Sequence, residues 1–164
     1  METPIGEICA ASIGDKICLL DFVDSKEYEP IFNKLRQEFN AEMEYKTSPT
    51  LEQLRKELEE YFEGKRKDFQ VETFQSGTPF QEKVWRILEN IPYGTTISYK
   101  EEARQMGNIK ASRAVANANG RNKISILVPC HRVVASNGKL GGYGGGLDRK
   151  IKLLELEAEY RNID

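Results

Sequence analysis

Cys130 and His131, the latter the only histidine in the chain, stand side by side in the run Val128-Pro129-Cys130-His131-Arg132-Val133-Val134. A thiolate is the reactive form of cysteine, and a nearby base or cation favours it, so the pair is a candidate nucleophile and base. The same residues also fit a buried cysteine acting as a small hydrophobe beside a turn histidine. Sequence neighbours on a strand point to opposite faces, so adjacency alone makes no Cys–His hydrogen bond. A bend or a bridging water is needed. Residues 124–128 are an apolar run that reads as a short buried strand. Pro129 cannot continue the ladder, which puts Cys130 at a strand end or a sharp turn.

The remaining cysteines, Cys9 and Cys18, fall in apolar runs and read as packing residues. An odd number of cysteines without a secretory signal points to free thiols in a reducing compartment, hence a cytoplasmic protein. A structural zinc site wants about four Cys/His ligands. Three cysteines and one histidine would all be consumed, including the reactive pair, so neither metal nor other cofactor is expected. No apolar run approaches the roughly 20 residues of a membrane span. The net charge of −2 hides an asymmetry: residues 1–75 carry 10 Lys+Arg against 17 Asp+Glu, and residues 76–164 carry 14 against 9. The second part could meet a polyanion and the first could not, although chance unevenness between two domains accounts for the same counts and is favoured by the charges alone.

The elements that must position the pair divide at Gln75-Ser76-Gly77, a linker-like stretch. In residues 1–75, two apolar runs at 5–13 and 16–23 flank Gly14-Asp15 as a β-hairpin. Pro30 opens a helix with Ile31, Leu35 and Phe39 at helical spacing, and Ser48-Pro49 caps a stronger one carrying Leu51, Leu54, Leu58, Tyr61 and Phe62. Residues 69–74 alternate as an edge strand. This part reads as a small α+β domain without visible chemistry.

Residues 78–164 read as mainly helical. Thr78-Pro79-Phe80-Gln81 is a capping box, followed by a buried stripe of Phe80, Val84, Ile87, Leu88 and Ile91. Ser98-Tyr99-Lys100-Glu101 is a second box, opening a short helix that ends at Gly107. Another helix covers 110–119, and the two make a helix-turn-helix. On the latter, Ala111, Ala114, Val115 and Ala118 face inward and Ser112, Arg113, Ala116 and Asn117 outward. Small outward residues let another surface approach the backbone, and a helix N-terminus favours phosphate. An alanine-rich helix buried on both sides is the competing reading, which the central arginine weakens. The run Gly141-Gly142-Tyr143-Gly144-Gly145-Gly146 lacks the Gly-Lys-Ser/Thr of a Walker loop and the βαβ context of a dinucleotide loop. It reads as a lid or pocket wall presenting Tyr143. A last helix over 148–160 is expected to turn Leu147, Ile151, Leu154 and Ala158 inward, with Glu157 at the stripe's border.

Taken together, Ile97-Ser98-Tyr99, Gly120-Arg121-Asn122, Pro129-Cys130-His131-Arg132-Val133-Val134 and Gly142-Tyr143-Gly144-Gly145-Gly146-Leu147 resemble the O6-alkylguanine-DNA alkyltransferases, also called methylated-DNA–protein-cysteine methyltransferases. The resemblance covers residues 78–158, with its motifs in order and at the right spacing. It implies a ribonuclease-H-like α/β layer for residues 1–75, and for 78–164 a DNA-binding and alkyl-transfer domain with a winged-helix-like helix-turn-helix: an α+β protein.

The resemblance also implies roles. Cys130 attacks the alkyl carbon on guanine O6. His131 acts as base through a water and is held by Glu157. Asn122 supports the local backbone. Tyr99 gives a proton to the leaving purine and crowds the flipped phosphate. Arg113 enters the duplex in place of the extruded base, with Ser112, Ala116 and Asn117 beside it on the DNA. Tyr143, Gly144 and Val133 line the base pocket. Many members have serine after the tyrosine; with Gly144, only a backbone NH is available there. The implied partner is double-stranded DNA carrying alkylated bases, bound in the minor groove largely without sequence preference by a monomer. The product is a thioether with no evident means of removal, so the transfer is suicidal. A thiol hydrolase, or a non-catalytic binder of alkylated bases, are the alternatives; binders of that kind lack the cysteine.

Overall fold

The computed structural model describes residues 1–163. Strands β2 (Gly6–Ile13) and β3 (Lys16–Phe22) form the hairpin, and Gly14 between them takes φ +58°, which glycine adopts without strain. β1 (Glu2–Thr3) pairs with β2 on the outer side. The strand expected across 69–74 shrinks to β4 (Glu72–Thr73), parallel to the start of β3. The amides just before it, on Gln70 and Val71, are captured by the buried Glu57 carboxylate instead of a ladder. Further along β3, that edge is occupied by the second half of the chain: Leu20 N donates to Lys123 O at 3.0 Å, and Ser125 N donates to Leu20 O at 2.8 Å.

Helix α1 (Tyr28–Glu38) buries Ile31 and Leu35 against Leu19. Helix α2 (Pro49–Phe62) is capped by Ser48, whose hydroxyl accepts from Leu51 N, and it buries Leu54, Leu58 and Tyr61. Leu20 and Phe22 of β3 join those residues in the main core. That core runs without a break into the second half, through Val84, Trp85, Leu88, Val115, Ile124 and Leu153. With helices and loops on both faces, β3 is buried along nearly all of its length.

The second half begins with α3 (Pro79–Glu89), where both arms of the Thr78–Gln81 capping box are made. Phe80 departs from the expected stripe and stays 37% exposed, since the first turn projects beyond the core. β5 (Ile97–Ser98) leads into α4 (Tyr99–Gln105). Ser98 accepts from Glu101 N, but the Glu101 carboxylate turns outward to Arg104 and Gln105, so the second box is only half formed. A 3-10 turn (Ile109–Ala111) and α5 (Ser112–Gly120) complete the helix-turn-helix. Trp85 Nε1 donates to Ala118 O at 2.9 Å and ties α5 to α3. Ala114, expected inside, is exposed; Asn119 is buried in its place, because it pairs with Glu102 of α4.

Residues 124–128 are buried, but they are a loop and not a strand. After the single bridge at Ile124 the chain bonds to itself: Leu127 N donates to Ser125 O and Val128 N to Ile124 O. Ile126 sits at φ +72°, a strained setting for a β-branched residue. A 3-10 turn (Cys130–Arg132) follows, then β6 (Val133–Val134), parallel to β5. The last helix, α6 (Leu147–Tyr160), buries Lys150, Leu153 and Glu157, whereas Leu147, Ile151 and Ala158 are exposed and Leu154 is half-buried. The helix is rotated from the apolar reading because both inward ionisable groups have partners, the condition under which charge can be buried. Among the described residues no helix is long and apolar enough to cross a membrane.

Candidate active site

Pro129 supplies no N–H, and the backbone closes into the 3-10 turn through Arg132 N to Pro129 O and Val133 N to Cys130 O. This tight turn separates neighbours. Cys130 keeps part of its surface exposed, while His131 is wholly buried. The two side chains therefore answer to different partners.

Cys130 answers to Asn122, whose Nδ2 donates to Val128 O at 2.7 Å and approaches Cys130 Sγ at 3.4 Å. Burial pushes the thiol up to about 11; the Asn122 hydrogen bond and the Lys150 charge pull the other way, and Asp21 and Glu102 add to the rise. At neutral pH the group is thus mainly a thiol, and a base must take its proton before it can attack.

His131 answers to α6. Its Nε2 lies 2.8 Å from Glu157 Oε1. The same carboxylate receives a two-pronged contact from Arg132, Nε to Oε2 at 2.9 Å and Nη2 to Oε1 at 2.8 Å. Arg132 Nη1 donates to Ile91 O at 2.7 Å. Burial alone would raise the Glu157 carboxyl, but the His131 and Arg132 hydrogen bonds outweigh it and hold it near 2. Burial lowers the imidazole, more than Glu157 raises it. A neutral imidazole facing an ionised carboxylate must carry its proton on Nε2. Its lone pair is then on Nδ1, a buried atom without a hydrogen-bond partner among the described residues. That is the arrangement of a general base.

The glycine run is tied through Lys150 to Val133, just after the Cys130 turn. Tyr99, at the start of α4, places its hydroxyl 3.5 Å from Gly142 O, and a Cβ at Gly141 would fall within 2.6 Å of its ring. Glycine is therefore required there, where φ is also +73°. Burial raises the Tyr99 phenol, and the Cys130 charge adds to the rise, a sign of their proximity. Tyr143 is half-buried, with its hydroxyl enclosed, and a Cβ on Gly145 would strike both Tyr143 and Phe22. Gly144 is exposed, and its carbonyl accepts from Ser25 of the first half. The Val133 side chain is fully buried in the core, and its carbonyl accepts from Lys150 Nζ at 2.6 Å. On α5, Arg113 and Asn117 are exposed and Ser112 and Ala116 are half-exposed.

Four participants escaped the sequence reading. Lys150 Nζ donates to Val133 O, Leu140 O and Gly142 O, pinning the glycine run to the Cys130 segment, and burial lowers it to about 8. Its spacing of three from Leu153 and seven from Glu157 marks one helical face, the available signal. Tyr61 of α2 donates to Glu157 Oε1 at 2.8 Å. Arg149 donates to Gly145 O at 3.1 Å and forms a fork on Asp24 at 2.6 and 3.0 Å. Gln75 contacts Asn122. Nothing local in the sequence marks the last three.

Two family models match the chain: the 6-O-methylguanine DNA methyltransferase ribonuclease-like domain over residues 1–75, and the DNA binding domain of the same name over residues 79–159. The constitutive methylated-DNA–protein-cysteine methyltransferase of Bacillus subtilis is 43% identical over 162 residues, spanning 95% of this chain and 92% of that protein. A crystal structure of Mycobacterium tuberculosis O6-methylguanine methyltransferase superposes with a TM-score of 0.84 at 41% identity, covering 100% of this chain and 93% of that one. A crystal structure of Mycobacterium tuberculosis OGT in complex with DNA gives 0.83 at 39% identity, over 98% and 91% of the two chains.

Proposed function

This chain belongs to the 6-O-methylguanine DNA methyltransferases, and on that footing we propose that it repairs O6-alkylguanine in DNA by moving the alkyl group, once and irreversibly, onto Cys130. The observation that carries the assignment to this sulfur is the pair of contacts flanking one peptide bond: Asn122 Nδ2 on Cys130 Sγ at 3.4 Å, and Glu157 on His131 Nε2 at 2.8 Å. His131 Nδ1 takes the thiol proton through a water. The thiolate attacks the alkyl carbon, the S–C bond forms, and the C–O6 bond breaks. Guanine leaves with the bonding electron pair and is protonated by Tyr99, whose proton is restored by the one released from the thiol. The product is a neutral thioether.

A base within stacked DNA is reached only by flipping its nucleotide, which costs a few kcal/mol. Arg113, exposed on α5, is the side chain suited to take the vacated place, with Ser112, Ala116 and Asn117 allowing close approach to the minor groove. Tyr143, Gly144 and the backbone at Val133 wall the base pocket, and Lys150 holds that wall. Residues 1–75 serve as the supporting domain and 78–164 as the DNA-binding and transfer domain, in a cytoplasmic monomer. O4-alkylthymine is a second candidate substrate.

The test is intact-mass measurement after incubation with an oligonucleotide carrying O6-methylguanine, followed by peptide mapping. One methyl group per chain on Cys130 is expected, and none in Cys130→Ala, which should still bind DNA. Many repairs per chain would refute single turnover, and a methyl group elsewhere would refute the assignment to Cys130.

A further inference from the structure

Gln75 ends the first half of the chain, and its side chain enters the site. Lys123 N donates to Gln75 Oε1 at 2.6 Å, and Gln75 Nε2 donates to Asn122 Oδ1 at 3.1 Å. The same Oδ1 accepts from Ile124 N at 3.0 Å. Both acceptor directions of that oxygen are then filled, so the Asn122 amide has one satisfied orientation. Its oxygen faces Gln75, and its nitrogen faces Val128 O and Cys130 Sγ. Turned over, the amide would set N–H against two N–H donors and C=O against the Val128 carbonyl. Each buried group left unpaired in this way bears its full desolvation penalty. Lys123 Nζ, buried and donating to Ser76 O at 2.8 Å, holds the connecting residues in place.

We propose that Gln75 is a positioning residue for alkyl transfer: it orients the Asn122 amide so that an N–H faces the Cys130 sulfur as the thiolate forms. The inference rests on the reading of Cys130 as the alkyl acceptor. A fixed N–H aimed at a developing anion stabilises it without reorganisation. Gln75 itself does not touch the sulfur and acts through Asn122.

Three substitutions in the full-length chain separate this role from simple packing. Gln75→Glu keeps the acceptor for Lys123 N but sets a carboxylate oxygen against Asn122 Oδ1, which favours the inverted amide. Gln75→Met keeps the volume and removes both hydrogen bonds. Gln75→Ala removes the side chain without adding charge. The readout is the rate of Cys130 alkylation, by mass, as a function of pH, using an O6-methylguanine oligonucleotide and, separately, iodoacetamide; circular dichroism reports folding.

Relative to wild type, Gln75→Glu should react roughly tenfold more slowly, with its pH midpoint moved upward, as loss of a hydrogen bond to a charged group predicts. Gln75→Met and Gln75→Ala should shift the midpoint in the same direction by less. Folded variants with the wild-type rate and pH midpoint overturn the proposal, and the two uncharged variants decide it should Gln75→Glu not fold. Wild-type protein that gains no methyl on Cys130 would instead overturn the parent reading.

Discussion

Tyr61, in the second helix of the first half, donates its hydroxyl to Glu157 Oε1 at 2.8 Å, the oxygen that also holds His131. The candidate base is thus anchored by a residue 70 positions before it in sequence, in a part of the chain with no chemistry of its own. Tyr61→Phe keeps the ring and removes one donor. It should cost about 1.5–3 kcal/mol, the range for a hydrogen bond to a charged group, in denaturant unfolding. Arg132 still holds the carboxylate, so single-turnover transfer at pH 7 should stay within a few-fold of wild type. A rate loss exceeding a hundredfold would show that Tyr61 contributes to more than anchoring.

Glu157→Gln should be far more damaging. It leaves Arg132 buried without a countercharge, sets an amide N–H where a carboxylate oxygen receives Arg132 Nε, and leaves only a neutral oxygen to hold the His131 tautomer. The expected loss is about 3–5 kcal/mol of stability, as for breaking a buried ion pair from one side, together with a strong loss of transfer. The wild-type pH dependence follows from the sign of the shift. The folded carboxyl, near 2, lies below its ordinary 4.5, so the folded state binds fewer protons between those values. The stabilisation is complete above about 4.5 and lost as pH falls toward 2, and it amounts to about 3 kcal/mol. Acid titration of unfolding free energy should show this slope, and Glu157→Gln should lack it.

Glu102 predicts the reverse. It is fully buried between α4 and α5, accepts from Asn119 Nδ2 at 2.8 Å, and has its second oxygen unpartnered, as is Asn119 Oδ1. Burial raises its carboxyl to about 7. The folded state therefore binds more protons than the unfolded state between about 4.5 and 7, and stability falls as pH rises through that window. Glutamine in its place keeps the acceptor and adds an N–H for Asn119 Oδ1. Glu102→Gln should be more stable than wild type at pH 8 by up to about 3 kcal/mol, and equal to it near pH 4. Thermal melts at the two pH values check this; a variant less stable at both would refute the pairing.

Arg113→Ala should separate base extrusion from chemistry. Arg113 is exposed and no partner holds it among the described residues, so the fold should be unaffected. Transfer from duplex should fall at least tenfold, the loss of a side chain that offsets about 1.4 kcal/mol or more of unstacking, while reaction with a free O6-alkylguanine base stays unchanged. Equal losses with both substrates would remove the wedge role.

Local signals in the sequence were followed closely by the structure. The Ser48 and Thr78 caps and the Gly14 turn each depend on a few adjacent residues, and each is formed in the structure. The Cys130–His131 pair and its Glu157 partner were found because the motifs surrounding them are specific. The errors came where a tertiary partner overrode a local preference. Residues 124–128 are apolar enough for a strand, but only Ile124 finds an edge to bond, on Leu20. The apolar residues of the last helix favour a different face, whereas Lys150 and Glu157 are the ones inside, because the carbonyls of Val133, Leu140 and Gly142 and the side chains of His131, Arg132 and Tyr61 receive them. Gln75 reads as linker for the same reason: its partners, Asn122 and Lys123, are remote in sequence.

The bridge between Leu20 and Ile124 closes a loop on the order of a hundred residues, a costly contact to make early because loop-closure entropy comes before any reward. The hairpin and first two helices can organise as soon as they are synthesised, but the free edge of β3 must wait for the segment that carries the thiol. At ribosomal rates of roughly 5–20 residues per second, that edge stays open for some seconds. The nascent chain is therefore most prone to mispairing during that interval, and the reactive cysteine is seated among the last parts of the molecule to be built.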